Sequence, residues 1–182
     1  MVDRGLDIAI PVLNEERRLE RGVRTALDYL RRTSIPRYRV TIADNGPTDQ
    51  TPQIGTALAA EFPTVHFLRV SDRGVGLALK QAWGASDYAH VGCMDVDLAV
   101  ELGHVEEAYR LLDEGGAALV NGSRLLKGAV VRNRPLLREI TSRSFNLLMG
   151  LTFRAGFTDA MCSFQFLRRA VFERVIGLGE MT

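Results

Sequence analysis

Short apolar runs alternate with amphipathic stretches along most of the chain. Leu6-Asp7-Ile8-Ala9-Ile10-Pro11-Val12 predicts a first strand, with Pro11, which cannot donate to a ladder, near its end. Asn14 is placed as the N-cap of the following helix, with Glu15 and Glu16 in the first turn, where the helix dipole favours acids. Leu19, Val23, Leu27 and Leu30 then recur at helical spacing, one apolar stripe over roughly four to five turns. Arg39 to Ala43 reads as the second strand, ending in the turn Asp44-Asn45-Gly46-Pro47. Thr48 or Asp49 can cap the helix through Ile54 and Leu58, and Thr64 to Val70 is the third strand. Ser71-Asp72-Arg73-Gly74-Val75-Gly76 is a glycine-bearing loop into a helix carrying Leu77, Lys80, Gln81 and Trp83.

The next strand is the apolar run that ends at Asp95; a helix from His104 to Glu114, a Gly115-Gly116 stop and a strand over Ala117 to Val120 follow. This alternation predicts an α/β fold: one domain with a mostly parallel, Rossmann-like sheet and helices on both faces. After Asn121 the pattern changes. Gly122-Ser123-Arg124 leads into a loop with Lys127, Arg132 and Arg134, then a helix from Pro135 in which Leu136, Leu137, Ile140, Phe145, Leu147, Leu148, Leu151 and Phe153 are apolar. Ser163 to Leu167 predicts a last strand and Arg169 to Ile176 a last helix.

The chemistry concentrates where the apolar run Ala89-His90-Val91-Gly92-Cys93-Met94 meets Asp95-Val96-Asp97. Residues two apart on an extended backbone point to one side. The carboxyl end of a strand is also where open α/β sheets bind ligands. Two carboxylates held that close repel unless a cation lies between them. Oxygen donors with no Cys or His beside them favour Mg²⁺ or Mn²⁺ over zinc. A polar turn after the strand is the alternative. Asp44 ends the second strand facing the same crevice, either as an acceptor for a base or ribose or as an Asx-turn residue. Arg73-Gly74-Val75-Gly76 can let backbone approach a diphosphate at a helix N-terminus.

Charge is distributed unevenly over the 182 residues, whose formal net charge is only +1. Residues 1–122 carry 13 Lys+Arg against 18 Asp+Glu, whereas residues 123–174 carry 10 against three. The second block suits an anionic partner, while the overall balance does not suggest a nucleic-acid binder. Arg124, Arg132, Arg134, Arg138 and Arg143 stand beside or within an apolar helical segment. Guanidinium forks match phosphate oxygens, and cations next to an apolar helix suit a lipid with an anionic head. The alternative is a core-packing helix with solvated arginines. Cys93 and Cys162 form no framework, and no apolar run approaches the ~20 residues of a spanning helix. The expected setting is cytoplasmic, peripheral at a membrane face.

Six segments in this order resemble the inverting family 2 glycosyltransferases with the GT-A fold, in the branch of polyprenol- and dolichyl-phosphate sugar transferases. They are Ile10-Pro11-Val12-Leu13-Asn14-Glu15-Glu16, Ala43-Asp44-Asn45-Gly46-Pro47-Thr48-Asp49-Gln50-Thr51, Arg73-Gly74-Val75-Gly76, Asp95-Val96-Asp97, Gly122-Ser123-Arg124, and Thr158-Asp159-Ala160-Met161-Cys162-Ser163-Phe164. The resemblance implies a nucleotide-sugar-binding half in residues 1–122 and an acceptor-side half in residues 123–182. The second half is expected to be cut short, since relatives continue with a further acidic helix and strand, and sometimes with membrane helices. Pro11, Glu15, Asp44 and Gly76, with Asp95, would surround the donor nucleotide. Asp95 and Asp97 would hold Mg²⁺ or Mn²⁺, and Arg124, Arg138 and Arg143 would receive the acceptor phosphate. Asp159 joins Asp95 and Asp97 in the implied catalytic set, for positioning rather than proton abstraction.

The chain departs from the family pattern at four places. Asn45-Gly46-Pro47 stands where Asp-Gly-Ser is usual, and Val75 where Lys is frequent. Ser163-Phe164-Gln165 stands where Gly-Phe-Lys or Gly-Phe-Arg is usual, and Ala99 where mannose synthases can carry a metal-ligating Gln. The implied reaction moves glucose or mannose from UDP-glucose or GDP-mannose to a polyprenyl or dolichyl phosphate. Transfer to a sugar or glycan hydroxyl, and nucleotide-sugar binding without catalysis, are the alternatives; homo-oligomerisation stays open.

Overall fold

Leu6, Ile8, Ile10 and Val12 are all at most 1% exposed, and so is Ala9 between them, as expected of a strand covered on both faces. That strand, β1 (Asp3–Val12), lies at the middle of the sheet. The computed structural model describes residues 3–46, 48–70, 73–126, 136–153 and 158–179. After β1 come α1 (Leu19–Leu30), β2 (Tyr38–Asp44), α2 (Thr51–Glu61), β3 (Val65–Arg69), α3 (Val75–Gly84), β4 (Tyr88–Cys93) and α4 (Gly103–Asp113). β5 (Leu119–Asn121), α5 (Leu136–Phe153), β6 (Gln165–Arg168) and α6 (Arg169–Gly179) complete the order. The six strands form one sheet, β3-β2-β1-β4-β6-β5. β1 pairs in parallel with β2 and β4, and β2 with β3.

Each face has its own core. On one side Leu6, Ile8, Ile10, Val40, Ile42 and Phe166 meet Leu19, Val23, Leu27 and Leu30 of α1, Leu58 of α2, and Val105 and Leu112 of α4. On the other, Ala9, Ala43, Val91 and Leu167 meet Ala78, Ala82 and Trp83 of α3 and Phe172 of α6. Trp83 and Phe172 stack edge to face with centroids 5.6 Å apart, and the indole N–H donates to the Gly92 carbonyl at 3.0 Å. The expected sheet with helices on both faces is the observed one.

The first helix starts later than the pattern predicted. Asn14 is not its N-cap: α1 begins at Leu19, after Arg18. Asn14 takes a left-handed φ of 55°, which Asn tolerates better than most residues. Its Oδ1 accepts from Thr48 N at 2.8 Å and Thr48 Oγ1 at 3.3 Å, so the side chain bridges to the next loop instead of capping. Neither residue expected to cap the second helix is its N-cap, which is Gln50. Asp49 nevertheless holds the first helical amide, Oδ1 accepting from Thr51 N at 2.9 Å.

The last strand sets the geometry of the site. β6 inserts between β4 and β5 and runs antiparallel to both, with Cys93 opposite Gln165 and Asn121 opposite Gln165 on the far side. Gly92 makes this possible, since a Cβ there would lie 2.2 Å from the Phe166 ring. Because β6 is antiparallel, the segment that precedes it arrives at the carboxyl ends of β1, β2 and β4. A second close approach lies beside it: a Cβ on Gly22 of α1 would come 2.3 Å from the Val96 carbonyl oxygen.

Gly22→Ala should therefore lower stability by about 2 kcal/mol, as overpacking against backbone does. Gly177→Ala, in α6 with open space around it, should be neutral or stabilising by up to ~1 kcal/mol. Thermal unfolding of both variants checks this; equal melting temperatures would contradict the close packing of α1 on residue 96.

Candidate functional site

Beyond Cys93 the chain leaves the sheet, but its alternation persists. Met94 and Val96 are 4% and 5% exposed, while Asp95 and Asp97 are exposed. Both carboxylates thus project from the rim on the side away from the core. Leu98 takes a left-handed φ of 53° and its N–H donates to the Asp95 carbonyl at 3.1 Å, closing the turn. Asp97 Oδ1 accepts from Ala99 N at 3.1 Å. Asp95 Oδ2 accepts a hydrogen bond from the Ser163 hydroxyl. Among the described residues neither carboxylate forms an ion pair, although the Arg124 charge acts on Asp95.

The residues expected on the donor side share this rim. Pro11 is half-buried near the end of β1, and Glu15 is half-buried in the turn after it. Glu15 N donates to Thr51 Oγ1 at 2.9 Å and Glu16 N to Asp49 Oδ2 at 3.2 Å, while Glu16 Oε2 accepts from Gln50 N at 3.1 Å. With the Asn14–Thr48 bonds, these fasten the loops after β1 and β2 to each other. Desolvation alone would raise the Asp49 carboxyl, but its hydrogen bonds, chiefly to Thr51 and also from Glu16 N–H, hold it below its ordinary value.

Asp44, the last residue of β2, is fully buried. One oxygen accepts from Gly46 N at 3.0 Å, and the other, Oδ2, has no partner among the described residues. A buried carboxylate oxygen without a donor is costly, and a ligand N–H or O–H can satisfy it. Asn45 is 5% exposed, and its Oδ1 accepts from Gly74 N at 2.7 Å. Arg73 Nη2 donates to the Gly46 carbonyl at 3.2 Å. The Asn45 carboxamide thereby carries the glycine loop to the end of β2, a role not foreseen from the sequence. Gly74 precedes α3, and Gly76 is the second residue of that helix, exposed, with nothing within 4 Å of where a Cβ would stand. The first amides of a helix face outward without an intrahelical partner.

On the opposite side of the rim, Asp159 is completely buried and saturated. Oδ2 accepts from Arg124 N at 3.2 Å and Arg124 Nε at 2.9 Å; Oδ1 accepts from Arg124 Nη2 at 3.2 Å and Met161 N at 3.1 Å. Burial alone would raise its pKa, but the Arg124 guanidinium and backbone hold the carboxyl below the usual range. Arg124 also donates to the Met161 carbonyl at 2.9 Å through Nη2, and none of these bonds uses Nη1. The structure thus brings two expected site residues, Arg124 and Asp159, together as a pair. Asn121 Nδ2 donates to the Asp159 carbonyl at 2.7 Å, and Thr158 Oγ1 to Ser123 Oγ at 2.7 Å.

α5 turns a polar seam inward. Ser142 is 4% exposed, and Asn146 accepts from Ala160 N at 2.7 Å while donating to the Ser142 carbonyl at 2.8 Å. Phe145, Leu147 and Leu148 are exposed, as are Leu126 and Met161. Arg143 is exposed on the same helix; Arg138 belongs to α5, its side chain outside what is described, and Arg132 and Arg134 lie outside the described residues. No helix among the described residues is long and apolar enough to cross a membrane.

A mostly parallel sheet with an acidic crevice at its carboxyl edge and one antiparallel strand beside it is the GT-A fold of glycosyltransferases. The sequence model of glycosyl transferase family 2 matches residues 7–176, and the chain belongs to that family. It is 32% identical over 171 residues to glycosyltransferase AglD of Haloferax volcanii, covering 92% of this chain and 27% of that protein. It is also 32% identical over 150 residues to the polyprenol monophosphomannose synthase of Mycolicibacterium smegmatis, covering 78% of this chain and 55% of that one. This chain therefore spans little more than half the length of these relatives, or less. Glucosyl-3-phosphoglycerate synthase from Mycobacterium tuberculosis, solved with Mn²⁺, uridine diphosphate and glucosyl-3-phosphoglycerate, superposes with a TM-score of 0.65 at 19% identity, covering 92% of this chain and 57% of that one.

Because the Asp159 pKa is depressed on folding, its contribution is present above the ordinary carboxylate range and lost as pH falls through the folded value. Asp159→Asn, which leaves Arg124 without its anion, should cost on the order of 3 kcal/mol at pH 7. The gap to the unsubstituted chain should narrow below pH ~4. Chemical unfolding at pH 7 and pH 3 measures it, and an equal gap at both would contradict the ion pair.

Proposed function

We propose that this chain transfers a hexose, with inversion at the anomeric carbon, from a nucleoside-diphosphate sugar to a polyprenyl phosphate at a membrane surface. The observation that supports this most is the pair Asp95 and Asp97, exposed on one rim without an ion pair among the described residues. Their donor set fits Mg²⁺ or Mn²⁺: two hard carboxylates, each with one oxygen engaged by an internal donor and the other left over. Among the described residues no third His, Cys, Asp or Glu joins them, so a bound ion would need further oxygen donors from its ligand or solvent. The bound ion would supply Lewis-acid stabilisation of the leaving nucleoside diphosphate.

The chain's own residues do the rest. Asp44 Oδ2 accepts from the base or ribose, with Pro11 and Glu15 beside it, and the Val75-Gly76-Leu77 amides face the diphosphate. The acceptor is a phosphate monoester whose second pKa is ~6, so it arrives ionised and needs no general base. That suits Asp159, whose oxygens are taken and which stays ionised. A hydroxyl acceptor would need a base, and the saturation of Asp159 speaks against it in that role. Arg124, through Nη1, and Arg138 and Arg143 on α5 hold the acceptor phosphate against the repulsion of the donor, a matter of positioning and electrostatics. The exposed Leu126, Phe145, Leu147, Leu148 and Met161 give this half, residues 123–182, an apolar surface suited to the lipid chain. The similarity to a polyprenol monophosphomannose synthase supports the same reading. Residues 1–122 form the donor half, for UDP-glucose or GDP-mannose, on the cytoplasmic face.

Incubation with radiolabelled UDP-glucose or GDP-mannose, Mn²⁺ and a short polyprenyl phosphate in detergent tests the proposal. Label should enter the organic phase from one donor, and EDTA or Asp97→Asn should cut it roughly a hundredfold. Arg138→Ala should raise the acceptor KM about tenfold with donor affinity nearly unchanged. Label passing only to a glycan hydroxyl, or donor binding without any turnover, would contradict it.

A further inference from the structure

Ser163 is not among the residues that the family resemblance assigns a role, and it stands at one of the places where the chain departs from the pattern that resemblance implies. Its main chain is held independently of its side chain. The Cys93 thiol donates to the Ser163 carbonyl at 2.8 Å. One residue on, the Phe164 carbonyl accepts from Gly122 N at 2.8 Å, and three residues earlier Ala160 N is bound to Asn146. At the head of the loop the Arg124–Asp159 pair fixes the backbone from residue 159 to 161. The hydroxyl is therefore delivered by its own loop to Asp95 Oδ2, to which it donates a hydrogen bond.

We propose that Ser163 is a positioning residue for the metal: its hydroxyl engages one oxygen of Asp95 and leaves Oδ1 as the oxygen that Asp95 offers to a divalent cation beside Asp97. Three physical consequences follow. An exposed carboxylate otherwise rotates freely, and fixing it before binding removes that ordering cost from the binding step. A hydroxyl donor on Oδ2 also draws charge away from the neighbouring Asp97, easing the like-charge repulsion that disfavours the empty pair. Finally, the loop that carries the acceptor-side residues Arg124 and Asp159 is mechanically joined to the donor-side metal ligand through one side chain. Partners of this kind orient metal ligands and typically change affinity by 10–100-fold when removed. A glycine at this position can make no such contact, so the arrangement belongs to this chain rather than to what the resemblance implies.

The inference rests on the metal reading of Asp95 above. Its test is Mn²⁺ affinity, read by the electron paramagnetic resonance signal of free Mn²⁺ in the presence of saturating UDP or GDP, for the unsubstituted chain, Ser163→Ala and Ser163→Thr. UDP and GDP affinity in EDTA and thermal unfolding are measured alongside. The expected result is about tenfold weaker Mn²⁺ binding in Ser163→Ala, with metal-free nucleotide affinity and melting temperature unchanged and binding restored in Ser163→Thr. Affinity within twofold of the unsubstituted chain, a loss that appears equally in EDTA, or a threonine variant as weak as alanine would each overturn the role of the hydroxyl. Absence of Mn²⁺-dependent binding in the unsubstituted chain would overturn the metal reading itself, and this inference with it.

Discussion

Asp95 and Asp97 are like charges two residues apart, and the fold holds both at one rim by burying the residues that alternate with them. Met94 and Val96 are anchored in the core, and Val96 lies under Gly22 of α1, where no larger residue fits. Hydrophobic packing beneath the two carboxylates anchors them at the rim, and the nearby Arg124 charge acts on Asp95. Such a pair is unfavourable empty and favourable around a cation, which is the property a metal-dependent donor site requires. The loops after β1 and β2, stapled to each other through Asn14, Glu15, Glu16 and Asp49, then form the adjoining wall, with the orphan oxygen of Asp44 at the end of β2.

The second half of the molecule is organised by the opposite device, a charge pair drawn inward. Arg124 and Asp159 satisfy one another while anchoring the segment that precedes β6. Because β6 is antiparallel and lies beside β4, that segment ends next to Asp95. The proposed donor and acceptor sides therefore meet across a few residues, and α5, assigned to the acceptor side in that proposal, has its polar seam inward and its leucines outward. Removing two anionic reactants from water and holding them together needs such fixed cations and dipoles more than it needs a proton acceptor.

Much of this was legible in the sequence. The alternation of apolar runs and amphipathic stretches predicts the strands and helices, because each burial pattern has its own period. The position of Asp95 and Asp97 after an apolar run predicts a rim. Other features depend on partners distant in the chain. Asn14 reads as a helix cap from its neighbours alone, and only the loop at Thr48 shows why it adopts a left-handed turn instead. The placement of β6 between β4 and β5 rests on Gly92 making room for Phe166, a contact across 74 positions that no local pattern encodes. Arg124 reads as one more cation in a basic stretch until Asp159, 35 residues on, claims its guanidinium. Asn45 and Ser163 stood out only as departures from the family pattern, and their hydrogen bonds to Gly74 and Asp95 give those departures a physical content.

The central claim is that the acidic rim binds a nucleoside diphosphate through a divalent ion. Isothermal titration of this chain with UDP and with GDP, each in Mn²⁺ and in EDTA, tests it most directly. The account predicts that one of the two nucleotides binds in Mn²⁺ and that its affinity falls by at least about tenfold in EDTA. Binding of neither nucleotide, or equal affinity with and without the ion, would contradict it.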